Sequence, residues 1–393
     1  MRETAAVVKR FFFNMEWYNN NMKLRTLFSI IAVVLGSVLL LYLPFVTNTL
    51  AYFGFSKTGG MNIIYQNYDG LYYVIPAMTG YVPKAIEALR FEFSLPLEYY
   101  AAHLPLYPFF IALLAPFVGS YLVSMIGVNL IFSILLALFF YFFIKNLNLT
   151  KHPLFLTVIL LFLPRFFVIR SVGAPEPLFL LLVLGSLFFF EKKRYLLAGI
   201  LGACSVMTKI PGILLFGAYG LVFLERLIKG KSFNLRWLWI GLIPVGLLAV
   251  FGLYQMQYND FFAFFHTGGV VPILYPFSVF NDAGRWVQTV WLEEIVLYFF
   301  IYLFAIFMLK DSKYRSLFYF PLLFFIASTF VQHRDLSRYL LPMWPFACIA
   351  FEQTLTSQKF RFVFYLLLPA IYLYAWNFLL GNIIPVSDWR PFL

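Results

Sequence analysis

Runs of about 20 apolar residues recur along the whole of this 393-residue chain, and a helix of that length spans the hydrocarbon core of a bilayer. No run alternates apolar and polar residues as a barrel strand does, so we expect the runs to be helices. The composition agrees, because 62% of the residues are hydrophobic and only 12% are charged. The sequence therefore predicts an all-α polytopic membrane protein, folded as a single transmembrane domain over residues 1–393 with no separate soluble domain. Cys204 and Cys348 both lie within apolar runs, which excludes a disulfide framework.

The excess of positive charge indicates how the chain is oriented. The net charge is +12, and 19 of the 29 Lys and Arg residues fall in short segments between the apolar runs. These segments are 2–25, 145–151, 192–194, 226–236, 310–315 and 359–361. The positive-inside rule assigns them to the cytoplasmic side. We therefore interpret the excess as a topology signal and expect no nucleic-acid partner.

The basic segments also fix where the chain turns. Residues 195–225 have basic clusters at both ends, and a single helix over them would be about 46 Å long, which is too long for one span. They are predicted to form a hairpin that turns near residues 209–211. By the same reasoning, residues 153–190 form a hairpin that turns at 170–177.

The remaining segments complete the expected topology. Residues 120–144 cross once, after an interfacial or re-entrant helix at 103–117 whose prolines and shortness argue against a full span. The total is about eleven crossings, with an uncleaved first span, a cytoplasmic N-terminus and a C-terminus outside. Long outside loops are expected at 47–103 and 259–288. In a prokaryote, such a chain would lie in the plasma membrane.

Asp69 is the first acidic residue after the first apolar run, and tyrosines surround it in the long first loop. A lone carboxylate among aromatic rings suits sugar binding and removal of a proton from a sugar hydroxyl. We expect desolvation near the membrane to raise the pKa of Asp69 and make it a better base. The alternative is a solvated turn residue before Gly70. The loop is expected to form short amphipathic helices on the membrane surface, with its tyrosines alternatively forming an interfacial aromatic belt.

Glu176 is expected at the outside turn of the 153–190 hairpin. Pro177 suits the first turn of the following helix, and the helix dipole there favours a negative charge, which is a complete structural explanation. The functional alternative is a second acid that positions an acceptor or, with Asp69, binds a divalent metal ion. Arg165 and Arg170 precede it, and each is expected to pair with Glu176 or to contact a donor phosphate.

Several cations are expected at the outer ends of the spans. Lys209 interrupts an apolar stretch, either as a lysine that reaches the interface or as a cation for a lipid-linked phosphate. Arg338 suits a phosphate through its bidentate guanidinium, whereas an ordinary exposed loop would contain an Arg334–Asp335 pair. No zinc-like spacing and no glycine-rich phosphate loop is present, which favours a lipid-linked donor over a nucleotide sugar.

Two segments of the chain resemble a known signature. Residues 68–81 read YDGLYYVIPAMTGY and residues 103–108 read HLPLYP. They are similar to the first-loop motif of GT-C glycosyltransferases, in the branch related to the GPI mannosyltransferase 2 family. The later Ala-Pro-Glu-Pro turn, the Thr-Lys hairpin and the Arg-Tyr-Leu-Leu-Pro segment follow in the same order. This chain departs from the branch at Tyr68, where Trp is common, and at Pro76, which is expected to interrupt the following helix.

The resemblance implies a GT-C fold and an inverting transfer, with Asp69 as general base, of a hexose, preferably mannose, from a polyprenyl-phosphate-linked donor. The acceptor would be a hydroxyl of a lipid-linked glycan, a glycolipid or a small molecule on the outer face. Membrane lipids would surround the chain, and no cofactor beyond the lipid-linked co-substrate would be required. Together with the residue patterns, it leads us to expect donor-phosphate contacts at Lys209, Arg334 and Arg338. The expected substrate contacts are Tyr68, Tyr72, Tyr73, His103, Arg170, Glu176, His333 and Tyr339.

Two other functions are alternatives to this interpretation of the sequence. A transporter or flippase of a lipid-linked saccharide would have inverted repeats and polar residues at mid-span, and neither pattern is visible in the sequence. An enzyme of the O-antigen-ligase type would use an outside site centred on arginine and histidine, which residues 333–338 would supply.

Overall fold

The computed structural model describes residues 24–55, 59–90, 96–230, 234–267, 273–280, 292–333, 335–386 and 388–392. These ranges are helical in class and contain no β-strand. Six helices are long and apolar enough to cross a membrane, and many of their Leu and Phe side chains face outward. Such broad apolar surfaces suit lipid and not water. The prediction of an all-α chain with several membrane-spanning helices is therefore confirmed.

The helices follow one another along the chain in two halves of similar length. The first half contains α1 (Leu24–Val46), α2 (Asn62–Tyr65), α3 (Gly70–Thr79), α4 (Pro83–Ala88), α5 (Leu106–Val118), α6 (Tyr121–Asn146), α7 (Pro153–Leu161), α8 (Pro164–Ile169) and α9 (Glu176–Glu191). The second half contains α10 (Tyr195–Thr208), α11 (Leu214–Ile228), α12 (Leu242–Tyr258), α13 (Ala263–His266), α14 (Leu292–Leu309), α15 (Ser316–Thr329), α16 (Leu336–Tyr339), α17 (Trp344–Ala350), α18 (Glu352–Leu355) and α19 (Gln358–Gly381). Short 3-10 helices lie at Leu50–Phe53, Leu97–Ala102, Ile210–Ile213, Leu235–Gly241, Ser278–Phe280, Leu341–Met343 and Arg390–Phe392.

The expected hairpins appear as breaks between helices. Lys209 has an extended backbone between α10 and the 3-10 helix at Ile210–Ile213, and Gly212 then lies against Ser205, where a Cβ atom would approach the serine Oγ to 2.5 Å. Only glycine permits this return of the chain. The segment 170–175 separates α8 from α9 in the same way. The helix is thus broken at both places where a turn was predicted.

The first loop is built from the short helices α2, α3 and α4 and two 3-10 helices, as expected. Its tyrosines Tyr68, Tyr73, Tyr81 and Tyr100 are buried, so protein and not an interfacial belt surrounds these four rings. Three of them join a core cluster with α5, α6 and α12. The loop is thus packed onto the helical bundle.

Helix α3 continues through Pro76 to Thr79, so the expected interruption is wrong. The proline lies near the C-terminal end of this short helix. There its missing N–H removes one intrahelical bond and leaves the turns before it intact.

Candidate functional site

The backbone around Asp69 is held on both sides. Before it, the Asn67 amide donates to the carbonyl oxygen of Leu379 at 2.7 Å and to that of Ile63 at 3.1 Å, which ties the loop to the end of α19. Tyr68 has φ +50°, in the left-handed region that bulky side chains rarely adopt. Asp69 itself immediately precedes α3. Its position is therefore fixed by tertiary contacts and not by a free turn.

Two glycines bring this loop against the turn before α9. A Cβ atom on Gly173 would lie 2.9 Å from the Gly70 Cα atom and 2.2 Å from the Met125 Sδ atom. Real Cβ atoms do not approach so closely, so the two backbones can touch only because both residues lack a side chain. This contact sets Asp69 beside Glu176.

Arg338 joins the two carboxylates. Its Nη1 atom lies 2.8 Å from Asp69 Oδ2, and its Nε atom lies 2.8 Å from Glu176 Oε1. Lys209 Nζ also reaches Glu176 Oε1, at 2.9 Å. Four charged side chains from four separate segments thus form one ion network, which we call the four-charge network. Its side chains range from 1% exposed at Glu176, through 9% at Arg338 and 18% at Lys209, to 40% at Asp69, so Asp69 is its open end.

Glu176 occupies the start of α9 with Pro177 in the first turn, as predicted. Two cations compensate its buried charge, which an isolated carboxylate would not tolerate. Its second oxygen, Oε2, is buried and accepts no hydrogen bond from any described residue. The network therefore contains one buried acceptor, Glu176 Oε2, that receives no hydrogen bond from the described residues.

Tyr68 connects this network to a second ion pair. The Arg338 guanidinium lies 4.3 Å from the centre of the Tyr68 ring, and Arg165 Nη1 donates to the Tyr68 hydroxyl at 2.8 Å. Arg165 Nη2 then pairs with Asp335 Oδ1 at 3.3 Å. Cation–π contacts of this kind stabilise a partly desolvated arginine. Tyr68 is thus a positioning residue for both arginines.

Aromatic rings also lie near Asp69. The Tyr72 and Tyr99 ring centres are 5.4 Å apart, and the His103 ring lies 5.4 Å from Tyr72 and 5.6 Å from Tyr99. Tyr73 meets the same imidazole edge-on at 4.7 Å. The Tyr81 hydroxyl donates to the His103 carbonyl oxygen and so anchors this segment. The cluster is a wall of rings suited to the apolar faces of a ring-shaped ligand.

The electrostatics of Asp69 differ from the expectation. Burial is the largest single influence and raises its pKa, but the Arg338 guanidinium at 2.8 Å, with a further contribution from His103, holds the pKa of Asp69 below its ordinary value. The expected rise is therefore wrong. Burial also lowers the pKa of His103 to about 4, so this imidazole is neutral at pH 7.

One predicted site residue, Arg170, lies away from the four-charge network. Arg170 is buried and donates from Nε to the Leu161 carbonyl oxygen at 3.0 Å and from Nη2 to Ser37 Oγ at 2.7 Å. The expected pairing of Arg165 or Arg170 with Glu176 is wrong, because Arg170 is held in the bundle core and Arg165 is held by Asp335. Arg334 lies outside the described residues.

The other predicted contacts lie beside the network. Lys209 Nζ is 5.7 Å from the Tyr339 ring centre, and the His333 ring lies 5.0 Å from the same tyrosine. The backbone N–H of Asp335 donates to His333 Nδ1 at 3.0 Å. Tyr339 therefore lies close to both Lys209 and His333.

Sequence reasoning missed the roles of Gly173, Tyr99 and Asp335. Gly173 begins the Gly-Ala-Pro-Glu-Pro turn, and a glycine just before a helix start is a visible signal of close backbone approach. Asp335 is visible in the sequence as an acid beside two arginines, but its partner Arg165 lies 170 positions earlier in the chain. No local pattern marks that pairing.

Among the described residues, no group of three or more His, Cys, Asp or Glu side chains gathers to hold a metal ion. Asp69 and Glu176, the carboxylates considered for a divalent ion, are bridged by Arg338. No protein-family model and no curated protein matches this chain.

Proposed function

We propose that this protein is a membrane glycosyltransferase of the GT-C type. It transfers a hexose, preferably mannose, from a polyprenyl-phosphate-linked donor to an acceptor hydroxyl on the outer face, with inversion. The observation that carries the proposal is the four-charge network, in which a partly exposed carboxylate, Asp69, is paired with the buried cation Arg338. A base beside a phosphate-binding cation is what a single displacement on a sugar phosphate requires.

The reaction has one step. Asp69 takes the proton from the acceptor hydroxyl as its oxygen attacks the anomeric carbon of the donor sugar. The bond between that carbon and the phosphate oxygen breaks, and the polyprenyl phosphate leaves with the electron pair. Arg338 and Lys209 stabilise the negative charge that develops on the phosphate.

The same geometry makes the base depend on the donor. Arg338 donates to Asp69, and a phosphate with two or more oxygens would compete for its N–H groups. When the phosphate takes these donors, Asp69 loses the partner that lowers its pKa and becomes a stronger base. Donor binding thus prepares Asp69 for the proton transfer.

The acceptor enters on the side of the rings. Tyr72, Tyr99 and His103 lie near Asp69, and their apolar faces and polar edges fit a saccharide or a similar ring. The cations Arg338 and Lys209 contact Glu176. Asp69 therefore stands between a donor subsite and an acceptor subsite.

The topology that accompanies this proposal has about eleven crossings. The six long helices supply six of them, and the shorter helical segments 153–169, 176–191, 195–208, 316–329 and 336–355 supply the rest. Glu176 and Lys209 lie at one end of α9 and α10, and the basic segment 192–194 lies at the other end. The positive-inside rule then puts the network outside, the N-terminus in the cytoplasm and the C-terminus outside.

The test uses the purified full-length protein with radiolabelled polyprenyl-phosphate-mannose. We expect wild type to bind the donor and to release or transfer the sugar. Asp69→Asn should retain donor binding and lose transfer, whereas Arg338→Ala should lose donor binding. Asp260→Asn is the matched control, because that carboxylate pairs with the exposed His266. Transfer that survives in a folded Asp69→Asn protein would remove the assigned base, and no binding of any polyprenyl-phosphate sugar would remove the donor class.

A second candidate is an enzyme of the O-antigen-ligase type. It is favoured by the ionised, arginine-bound state of Asp69 and by the position of His333 beside Asp335 and Tyr339. In that case Arg338 and His333 would carry the reaction, and Asp69 would only hold Arg338. Loss of transfer in His333→Ala, with transfer retained in Asp69→Asn, would favour this candidate.

A further inference from the structure

A second charged recess lies at the opposite end of the bundle from Asp69. It is a cavity of about 190 Å³ between the end of α9, the start of α10, the end of α11 and the segment before α15. Glu191 lines it and ends α9, about 22 Å along the helix axis from Glu176. The recess is therefore separate from the four-charge network.

Cations dominate its lining, and its two carboxylates are already occupied. Glu225 accepts from Lys229 Nζ at 2.6 Å and from Arg315 Nε at 2.7 Å. Glu191 Oε1 accepts from the Ser316 backbone N–H at 3.0 Å and from its hydroxyl at 2.6 Å. Both carboxylates therefore already accept hydrogen bonds from other residues of the protein.

Three lining cations remain without an acid. Within the described part of the chain, Lys193, Arg226 and Lys313 have no carboxylate within 4.0 Å. Lys193 also has φ +59° just after α9, in a conformation that glycine usually supplies at a helix end. The lining therefore holds five cations and two carboxylates, which is an excess of three positive charges.

An apolar shelf adjoins this recess. Trp237, on the 3-10 helix Leu235–Gly241, packs against the lining residue Tyr195 with ring centres 5.1 Å apart, and the Arg226 guanidinium lies 5.5 Å from the Trp237 ring. Leu235 and Leu238 of the same helix are exposed. An exposed apolar edge beside cations is typical of a helix that lies in the headgroup region of a bilayer.

We propose that this recess binds the phosphate headgroup of an anionic phospholipid. Lys193, Arg226 and Lys313 hold the phosphate, and the acyl chains lie along the apolar shelf formed by Leu235 and Leu238. A free phosphate or another soluble anion would use the cations and leave the shelf without a role. Basic recesses between membrane helices bind anionic headgroups by this combination of charge and apolar contact.

The test measures lipid binding by native mass spectrometry of the detergent-purified full-length protein. The probes are phosphatidylglycerol and phosphatidylcholine with identical acyl chains. The variant replaces Lys193, Arg226 and Lys313 by Gln, and we expect it to bind phosphatidylglycerol at least about tenfold more weakly. The matched control replaces Lys145, Lys151 and Lys359 by Gln, which removes the same charge from sites that do not line the recess, and it should bind as wild type does.

Equal weakening in both triple variants would overturn the proposal, because general surface charge would then explain binding. Wild type that binds both lipids equally would also overturn it. Displacement of phosphatidylglycerol by millimolar inorganic phosphate would assign the recess to a free anion instead. Glu225→Gln removes the acid that holds Lys229 and Arg315. It should therefore tighten phosphatidylglycerol binding, which is the opposite of the effect expected for the triple variant. Unchanged binding in Glu225→Gln would count against the recess as the lipid site.

Discussion

Gly173 lies against Gly70 so closely that a Cβ atom on Gly173 would stand 2.9 Å from the Gly70 Cα atom. This contact aligns the start of α3 with the start of α9, and hence Asp69 with Glu176. The two carboxylates share Arg338 only because the two backbones touch.

Gly173→Ala is therefore expected to destabilise the protein by about 1–3 kcal/mol through overpacking and to slow sugar transfer by moving the base Asp69 away from the phosphate-binding cation Arg338. Thermal unfolding and sugar transfer by the purified variant measure the two effects. Gly220→Ala is the control, because a Cβ atom on Gly220 meets nothing within 4 Å. If Gly173→Ala unfolds at the same temperature as wild type, the close contact does not fix the site.

The energetic coupling between Asp69 and Arg338 is measurable in a double-mutant cycle. Arg338→Gln leaves Glu176 buried with Lys209 as its remaining cation in the four-charge network, and it should destabilise the protein by about 3 kcal/mol or more. In a protein that already carries Asp69→Asn, Arg338→Gln should cost less stability, since one of the two carboxylates that the guanidinium compensates is then absent. Additive effects of the two substitutions on unfolding would contradict a shared ion network.

Competition for Arg338 predicts a difference between two pH profiles. The profile of kcat/KM for the donor reports the free enzyme, where Arg338 holds the pKa of Asp69 down. The profile of kcat reports the donor complex, where the phosphate has taken Arg338 and the pKa of Asp69 has risen. The acid limb of kcat should therefore lie at higher pH than that of kcat/KM. The acid limbs of kcat and kcat/KM should be separated in the same way in His103→Phe. If the two limbs coincide in wild type, the phosphate does not compete with Asp69 for Arg338.

His103 predicts a loss of stability in mild acid. Its pKa falls from the ordinary 6.5 to about 4 on folding because the ring is buried. Between these two pH values the unfolded chain binds a proton at His103 and the folded protein does not. Stability is complete above about pH 6.5 and should fall by about 3 kcal/mol as the pH approaches 4. His103→Phe keeps the ring and removes the titration, so its unfolding temperature should change less between pH 7.5 and 5. His152→Phe, at an exposed histidine, is the control and should follow wild type.

Much of the site could be predicted because charges are rare in this chain. An ionisable side chain at the end of an apolar run has few stable surroundings, so Glu176, Lys209 and Arg338 are expected on the same side of the membrane as Asp69. The structure brings these four together. The break at Lys209 follows from the same kind of reasoning about helix length.

The choice between Arg165 and Arg170 could not be predicted. They are five positions apart, which is about 140° around a helix, so only one of them can face the site. The rotation of α8 decides which one, and it depends on the packing of Phe166 and Phe167 in the core. The expected pKa of Asp69 is wrong for a related reason, since its controlling partner, Arg338, is 269 positions away.

The four-charge network also sets an order of assembly. Glu176 and its partner Lys209 are 33 positions apart in the chain, whereas Asp69 and its partner Arg338 are 269 positions apart. During synthesis, α3, α9 and α10 are made with two carboxylates and one cation of the network between them. The balancing cation comes only with α16. A polypeptide that stops after α15 would therefore contain Asp69 without its partner Arg338. Such a truncated chain would differ from the finished protein in the charge balance of the site as well as in its length.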